Sequence, residues 1–523
     1  HHWNQSLWLQ VPAALDPDSL RQALGTLPAQ HDALRLRFRH TPSGWLAEFT
    51  TKAVEIPLHV EAVTEEATLA ARAAELETAL DLGAGPGMRA ALFVDPAGGP
   101  GKLFLTIHHL AVDGVSWRPL LEDLETAYEQ LHQGQPLNLP AKSSSFKAWA
   151  EGLLTLARTD AIQQEWPFWQ AQLAGPRLTA MSGHGTIGET KHQHRALDAE
   201  RTSAFLHEIG SRYNSNANDA LLAALSLAFA HELDWPGFTG MVEGHGREEQ
   251  LHDEADLSRT VGWFTTHYPV HLQLPPRDGY GEALKAVKEQ LRRIPNSGIG
   301  YGLNRYLGDK QAESEPDILF NYLGQFERTL PQSNLFQLDR PLQAGYGHEN
   351  GRTHALEINA YVLGGALQLE WLFNPDQLPV EQIARLADRF QAELVGLIDH
   401  CLQKEGREFT PSDFDLAGLS ETEFARVAAL LGPAGLANTV DIYPLTPTQA
   451  GILYHTLRTP DSEIYFEQIS CAFSGDLQLD KLKLAWQRLA DRHPLLRTRF
   501  LWSQLETPLQ IVQRALDFPW EEL

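Results

Sequence analysis

Two histidines and an aspartate stand close together in the stretch Leu103–Arg118, LFLTIHHLAVDGVSWR. Histidine is the side chain whose ordinary titration spans neutral pH, so His108 or His109 could take a proton and return it. Asp113 could orient such a histidine or tie its loop to a cation. A histidine at a strand end is more often packed or solvated, so the loop alone does not establish chemistry. A metal site is disfavoured, because neighbouring residues on a strand point to opposite faces and rarely share one ion. A second reactive group lies downstream in MVEGHGRE, where Glu243 is a carboxylate with two readings. It is either a proton carrier or half of a solvated ion pair with Arg247.

The elements that must hold these residues are legible. Leu103–Ile107 is a short apolar and β-branched run, which predicts a buried strand. From Pro119, apolar residues recur every three or four positions through Leu131, which predicts a helix that stops near Gly134. The histidines and Asp113, with Gly114, therefore sit on a strand-to-helix turn, where rigid elements commonly mount functional groups. Upstream, residues 18–39 predict a helix and a strand, and the Ala-, Leu- and Glu-rich run after Thr64 predicts another helix. Downstream, ALLAALSLAFAHEL predicts an apolar helix capped by Asn218 or Asp219. RTVGWFTTHYPVHLQL has a β-rich second half, and its first half could be an aromatic core strand. ALEINAYVLGGALQLEWLF predicts a hairpin with Gly364-Gly365 at its turn.

Composition narrows the class. A chain of 523 residues with 43% hydrophobic content can build two or three domains. Its net charge of −25 argues against nucleic acid or an anionic membrane as a main partner. The two cysteines, Cys401 and Cys471, exclude a disulfide scaffold and suit a reducing cytoplasm. No apolar run reaches membrane-spanning length. The motif HExxH of metal hydrolases fails here, because His231-Glu232-Leu233 is followed by Asp234 and Trp235.

Strands and helices alternate in two successive blocks, which predicts an α/β protein with two lobes. The boundary between them falls in the Gly-, His- and Thr-containing loop at about 175–195. Residues 405–440 are linker-like. The chain then repeats itself: DPDSLRQALGTLPAQHDALRLRF (16–38) aligns with QLDKLKLAWQRLADRHPLLRTRF (478–500), His31 against His493 and Phe38 against Phe500. One such match at a long period indicates a duplicated domain rather than a solenoid. The second copy is preceded by DIYPLTPTQAGILYHTL, for which the first has no counterpart. The first domain is therefore expected to begin some way inside its fold, and the second to end inside its own.

Four further motifs lie in the second block: EGHGRE (243–248), RTVGWFT (259–265), PNSGIGYG (295–302) and FNYLGQF (320–326). Together with HHLAVDG, and in this order, they resemble the epimerization domains of nonribosomal peptide synthetases, which are relatives of condensation domains. HHLAVDG resembles the HHxxxDG signature of that whole superfamily, whereas EGHGRE and FNYLGQF resemble motifs of its epimerizing branch. HHWNQS is similar to the family's opening, which makes His1 and His2 native residues. The tail resembles the start of a condensation domain. GIGYG follows a helix rather than a strand, so it does not suggest a dinucleotide loop.

The resemblance implies an α/β, two-lobed fold like chloramphenicol acetyltransferase, with a central tunnel and a truncated second copy. It implies an N-terminal lobe over 1–175, a C-terminal lobe over 176–405, an interdomain linker over 406–440 and a condensation-domain fragment over 441–523. The implied activity is that of an isomerase: L-to-D inversion of the α-carbon of an aminoacyl or peptidyl thioester. The phosphopantetheine arm would come from an upstream peptidyl carrier protein, with no cofactor or metal bound by this domain, and the adjacent condensation domain would be a second partner. His109 and Glu243 would be the proton carriers on opposite faces of the substrate. A carboxyl group buried in a tunnel should have a raised pKa. Asn321, Tyr322 or backbone N–H groups would hold the enolate oxygen. Asp113 would be structural, paired with Arg259 and setting the loop's shape; His108, pointing the other way along the strand, would pack or bond, and Gly114 would be a supporting residue of the loop. The nearest alternative is a condensation domain, in which His109 would assist an amine attacking a thioester. A non-catalytic docking domain fits less well, since every motif position is filled.

Overall fold

The computed structural model describes residues 2–522 apart from 86, 180–182, 253–254, 277–278, 313, 326–332, 334 and 460–464. His1 and Phe326, the last residue of FNYLGQF, lie outside the described residues.

The strand Gly101–His108 is central to a five-stranded sheet whose spatial order is Gln337–Tyr346, Trp3–Val11, Gly101–His108, Met88–Val94 and Leu58–Ala62. Alternation along the central strands explains why both faces are covered. Leu7, Leu9, Leu103, Leu105 and Ile107 meet the helices Pro17–Gln30 and Trp117–His132 on one face. Trp8, Phe93 and Phe104 meet the helix Glu66–Thr78 on the other. The edge strand Gln337–Tyr346 comes from the second block of sequence and pairs antiparallel with Trp3–Val11. Chain connectivity thus ties the two lobes through backbone hydrogen bonds.

The second lobe holds a six-stranded sheet in the order Lys191–Ala196, Ala366–Phe373, Leu356–Leu363, Ile318–Gln325, Thr239–Gly244 and Thr266–His271. The hairpin turns at Gly364-Gly365, with φ of 58° and 75° at these two positions, a conformation that glycine adopts at no steric cost. The helix Ala217–Leu233 is apolar around most of its circumference because it lies in the core, packed beside the long helix Val380–Gln403. Its cap is Asn216, whose side chain accepts from the Asp219 N–H while Asp219 accepts from the Asn216 N–H. The sequence expectation of Asn218 or Asp219 was therefore displaced: Asp219 is the reciprocal member of a capping box, not the cap. RTVGWFT is a loop rather than a strand, and the strand begins after it at Thr266.

Residues 405–440 pack closely against the second lobe. Lys288 is buried and donates to Asp413 at 2.6 Å and to the Tyr213 carbonyl at 2.9 Å. The helix Glu421–Ala437 bends at Gly432 and shares a small core with the strands Thr439–Pro444 and Leu509–Gln513. In the tail, the helix Leu479–Arg492, the turn Pro494–Arg497 and the strand Thr498–Leu501 repeat Pro17–Gln30, Asp32–Arg35 and Leu36–Thr41 in the same order. Each element begins at the position matching its counterpart. Leu27 and Leu34 are buried in the first copy, but their counterparts Leu489 and Leu496 are 38% and 46% exposed. Among the described residues no helix is long and apolar enough to cross a membrane.

Candidate active site

His108 ends the central strand and His109 opens a single helical turn, His109–Ala111. His108 folds back onto this turn, its Nδ1 accepting from the Leu110 N–H at 3.2 Å. Burial, with the nearby His109, pushes its pKa down to about 4, so it is neutral near pH 7. His109 faces the other way, between the rings of Trp3 and Trp263, with centroids 6.1 and 4.8 Å from its own. Burial lowers its pKa, opposed by neighbouring backbone carbonyls and by Asp113. Its Nε2 lies 3.1 Å from the Gln5 side-chain nitrogen.

Asp113 is buried and fully engaged. It accepts from the Ser116 N–H at 2.8 Å, the Ser116 hydroxyl at 2.7 Å and the Phe264 N–H at 3.1 Å. Arg247 grips it through both terminal nitrogens, at 2.6 and 3.1 Å. The expected partner was Arg259, and the structure corrects this. Arg259 instead donates to Glu122 at 2.7 Å and Asp123 at 2.6 Å, on the helix behind the loop. The reason lies in Gly246 of EGHGRE, at φ 66°, where a Cβ would collide with the Phe264 carbonyl. Only glycine lets the chain turn this tightly and bring Arg247 beneath Asp113. The same contact removes the alternative in which Arg247 neutralises Glu243. Asp113 and Arg247 belong to different lobes, so their bidentate pair joins the lobes at the base of the His109 loop.

Glu243 lies on the strand Thr239–Gly244, opposite His267 in the antiparallel pair. Val242 on that strand points into the second lobe's core, so period-2 alternation aims Glu243 at the first lobe. The parallel neighbour pairs Phe320 with Val242, which places Asn321 at the next rung, on the same face as Glu243. Tyr322 alternates to the other face, at the margin of the core, and burial raises its phenol pKa.

Glu243 borders two cavities. One, of about 240 Å³, is largely apolar: Leu7, Val115, Trp117, Leu323 and Leu342 line it with Asp113, Gly114, Asn321 and Tyr322. The other, of about 440 Å³, is polar and includes Trp3, His267, Tyr346, His354 and Glu357. The His109 loop and Glu243 thus face one interlobe space, the loop from one side and the carboxyl from the other. Burial, with the nearby Glu357 carboxylate, pushes the Glu243 pKa up to about 7. Glu357 itself is opposed by Arg352 at 3.0 Å.

Such an arrangement can hold a proton near neutrality on Glu243, while burial favours the neutral ring of His109. Of the residues expected at the site, Asp113, Gly114, Glu243, Asn321 and Tyr322 line the apolar cavity, whereas His109 lines neither cavity and sits behind Trp3, which borders the polar one. Arg259 stands away behind the loop. Sequence reasoning missed Arg247 as the anchor, and missed Gln5, Trp3 and Trp263. The spacing EGHGRE held the signal for Arg247, and WNQ at the chain's opening held the signal for Trp3 and Gln5, but neither motif names its partner.

The geometry agrees with similarity to known proteins. A family model described as "Condensation domain" matches residues 1–419 and again 439–523, in keeping with the internal repeat. One of the subunits of the linear gramicidin synthase of Brevibacillus parabrevis is 38% identical over 99% of this chain, which spans 7% of that protein's length. Another subunit of the same synthase is 38% identical over 98% of the chain, which spans 10% of it. The crystal structure of the epimerization domain from the third module of tyrocidine synthetase B is 32% identical, with a TM-score of 0.69 over 77% of this chain and 94% of that one. The first condensation domain of the CDA synthetase shares the fold, with a TM-score of 0.59 at 19% identity. The chain therefore belongs to the condensation-domain family of the nonribosomal peptide synthetases.

Proposed function

We propose that this chain inverts the α-carbon of an aminoacyl or peptidyl thioester carried on the phosphopantetheine arm of a carrier protein. The observation that carries the proposal is Glu243: a carboxyl group with its pKa raised to about 7, on the lobe opposite the His109 loop, with Arg247 committed elsewhere. Inversion needs a base on one face of the carbon and an acid on the other. Neutral His109 takes the α-proton, which is acidified because sulfur donates poorly into the thioester carbonyl. The C–H electron pair moves into an enolate, and protonated Glu243 returns a proton to the opposite face. The enolate then collapses to the epimeric thioester, leaving imidazolium and carboxylate, which exchange protons with water to reset. Asn321, on the same strand face as Glu243, is the side-chain donor for the enolate oxygen. The apolar cavity suits the pantetheine arm, with its few polar groups met by Asn321 and the loop backbone. The proposed partners are the carrier protein and a condensation domain continuing from residues 441–523.

The test loads a carrier protein with aminoacyl-pantetheine in D2O and follows chirality and α-deuterium together. Inversion with label uptake is expected. Dipeptide formation from a second loaded carrier, without label or inversion, would replace this reading by condensation.

A further inference from the structure

We infer that Gln5 is a positioning residue that fixes the tautomer of His109 and keeps it unprotonated at rest; this rests on the proton-transfer role proposed for His109. The argument begins at Trp117, the first residue of the helix behind the loop. An indole N–H can only donate, and Trp117 Nε1 lies 2.9 Å from Gln5 Oε1. That contact orients the Gln5 amide, leaving its NH2 group to face His109 Nε2 at 3.1 Å. His109 Nε2 must then accept, so the neutral ring carries its proton on Nδ1. Nδ1 is buried without a hydrogen-bond partner of normal geometry.

The three residues are brought together by sheet register. Gln5 pairs with Ile107 on the neighbouring strand, two positions before His109, and both Gln5 and Trp117 are buried. An imidazolium would point an N–H at the Gln5 NH2 group, donor against donor. The amide cannot turn to relieve this without leaving Trp117 unpaired in the core. The Gln5 bond therefore occupies the Nε2 lone pair at rest, and the ring takes a proton there only when that bond gives way. The groups facing His109 are Trp3 and Gln5 from its neighbouring strand, Trp263 from the second lobe, and His108 and Asp113 from its own loop. Only His108 and Asp113 can titrate, and Asp113 is committed to Arg247.

The test is nitrogen-15 NMR of the full chain labelled at histidine, with the His109 signals identified by their loss in His109→Gln. The parent should show the Nδ1–H tautomer and a titration below the ordinary histidine range. Gln5→Glu keeps an acceptor for Trp117 but turns an acceptor toward His109. It should switch the ring to Nε2–H and raise its titration by about one pH unit, a tenfold change in proton affinity, carrying the acid limb of the inversion rate with it. Gln5→Met should abolish the tautomer preference. An Nε2–H ring in the parent, which needs no variant to measure, overturns the inference, as does a Gln5→Glu chain with tautomer and titration unchanged. Absence of inversion in the parent would count against the epimerization reading alone, since the tautomer is read without turnover.

Discussion

Replacing Glu243 by Gln should make the protein inactive for inversion and, above neutral pH, more stable. The side chain keeps its shape and loses its charge. In the unfolded chain Glu243 ionises near 4.5, and in the folded chain near 7. The folded state therefore binds more protons than the unfolded state between these values, so stability falls as pH rises through that interval. Below 4.5 both states are protonated and the contribution is fully present; above about 7 it has been lost. The span from 4.5 to about 7 is worth about 3 kcal/mol, and water in the adjoining cavities screens part of it, leaving about 1–3 kcal/mol. Gln is neutral throughout, so the variant avoids this loss. At about 2–4 °C per kcal/mol for a lobe of this size, the variant should melt several degrees above the parent at pH 8 and close to it at pH 4. The assay is thermal unfolding of both proteins across pH, beside chirality and deuterium uptake on a loaded carrier. A melting difference that is flat with pH, or larger in acid, would refute the reasoning that Glu243 is a desolvated, uncompensated carboxyl group.

Other outcomes follow from the same geometry. In the proposed mechanism the pair carries one proton, on Glu243 with His109 neutral or on His109 with Glu243 ionised, so the inversion rate should fall above about 7 as Glu243 loses its proton and fall in acid as His109 gains one. L- and D-thioesters should give the same kcat/KM profile, because both directions use the same total protonation. Arg247→Met leaves Asp113 buried without its cation and should cost about 3–5 kcal/mol and inversion activity. Arg259→Met also strands a buried carboxylate, Asp123, and should lose stability, but it should retain inversion, because among the described residues Arg259 pairs with Glu122 and Asp123 rather than Asp113; activity separates the two variants. Lys288→Met strands the buried Asp413 carboxylate and should cost a similar about 3–5 kcal/mol locally, seen as faster protease cleavage around Lys404–Arg407 with the His109 tautomer unchanged.

The central strand, the helix after it and the hairpin at Gly364-Gly365 were legible because each is specified by neighbours in sequence: alternation, a three-to-four-residue stripe, or a glycine pair. The repeat was legible because a whole supersecondary unit was copied, and the two copies fold with matching element starts. The helix cap was misread by two or three positions because Asn216, Asn218 and Asp219 are all competent caps locally, and only the reciprocal bond between Asn216 and Asp219 distinguishes them.

The sequence by itself determined the residue types at the site: a strand-end histidine pair, a carboxylate in EGHGRE, and an amide in FNYLGQF. It also determined that strands would present them, since alternation is a local property of the chain. Tertiary structure alone decided the partners. Arg247 rather than Arg259 holds Asp113 because the turn at Gly246 meets the backbone of Phe264, a contact between segments whose approach no local pattern encodes. Gln5 reaches His109 because two strands about a hundred residues apart adopt one register. Glu243 becomes a carboxyl with a pKa near 7 because two lobes close around it and remove its water. Charge and shape are written in the residue, but desolvation and pairing belong to whatever the fold sets beside it.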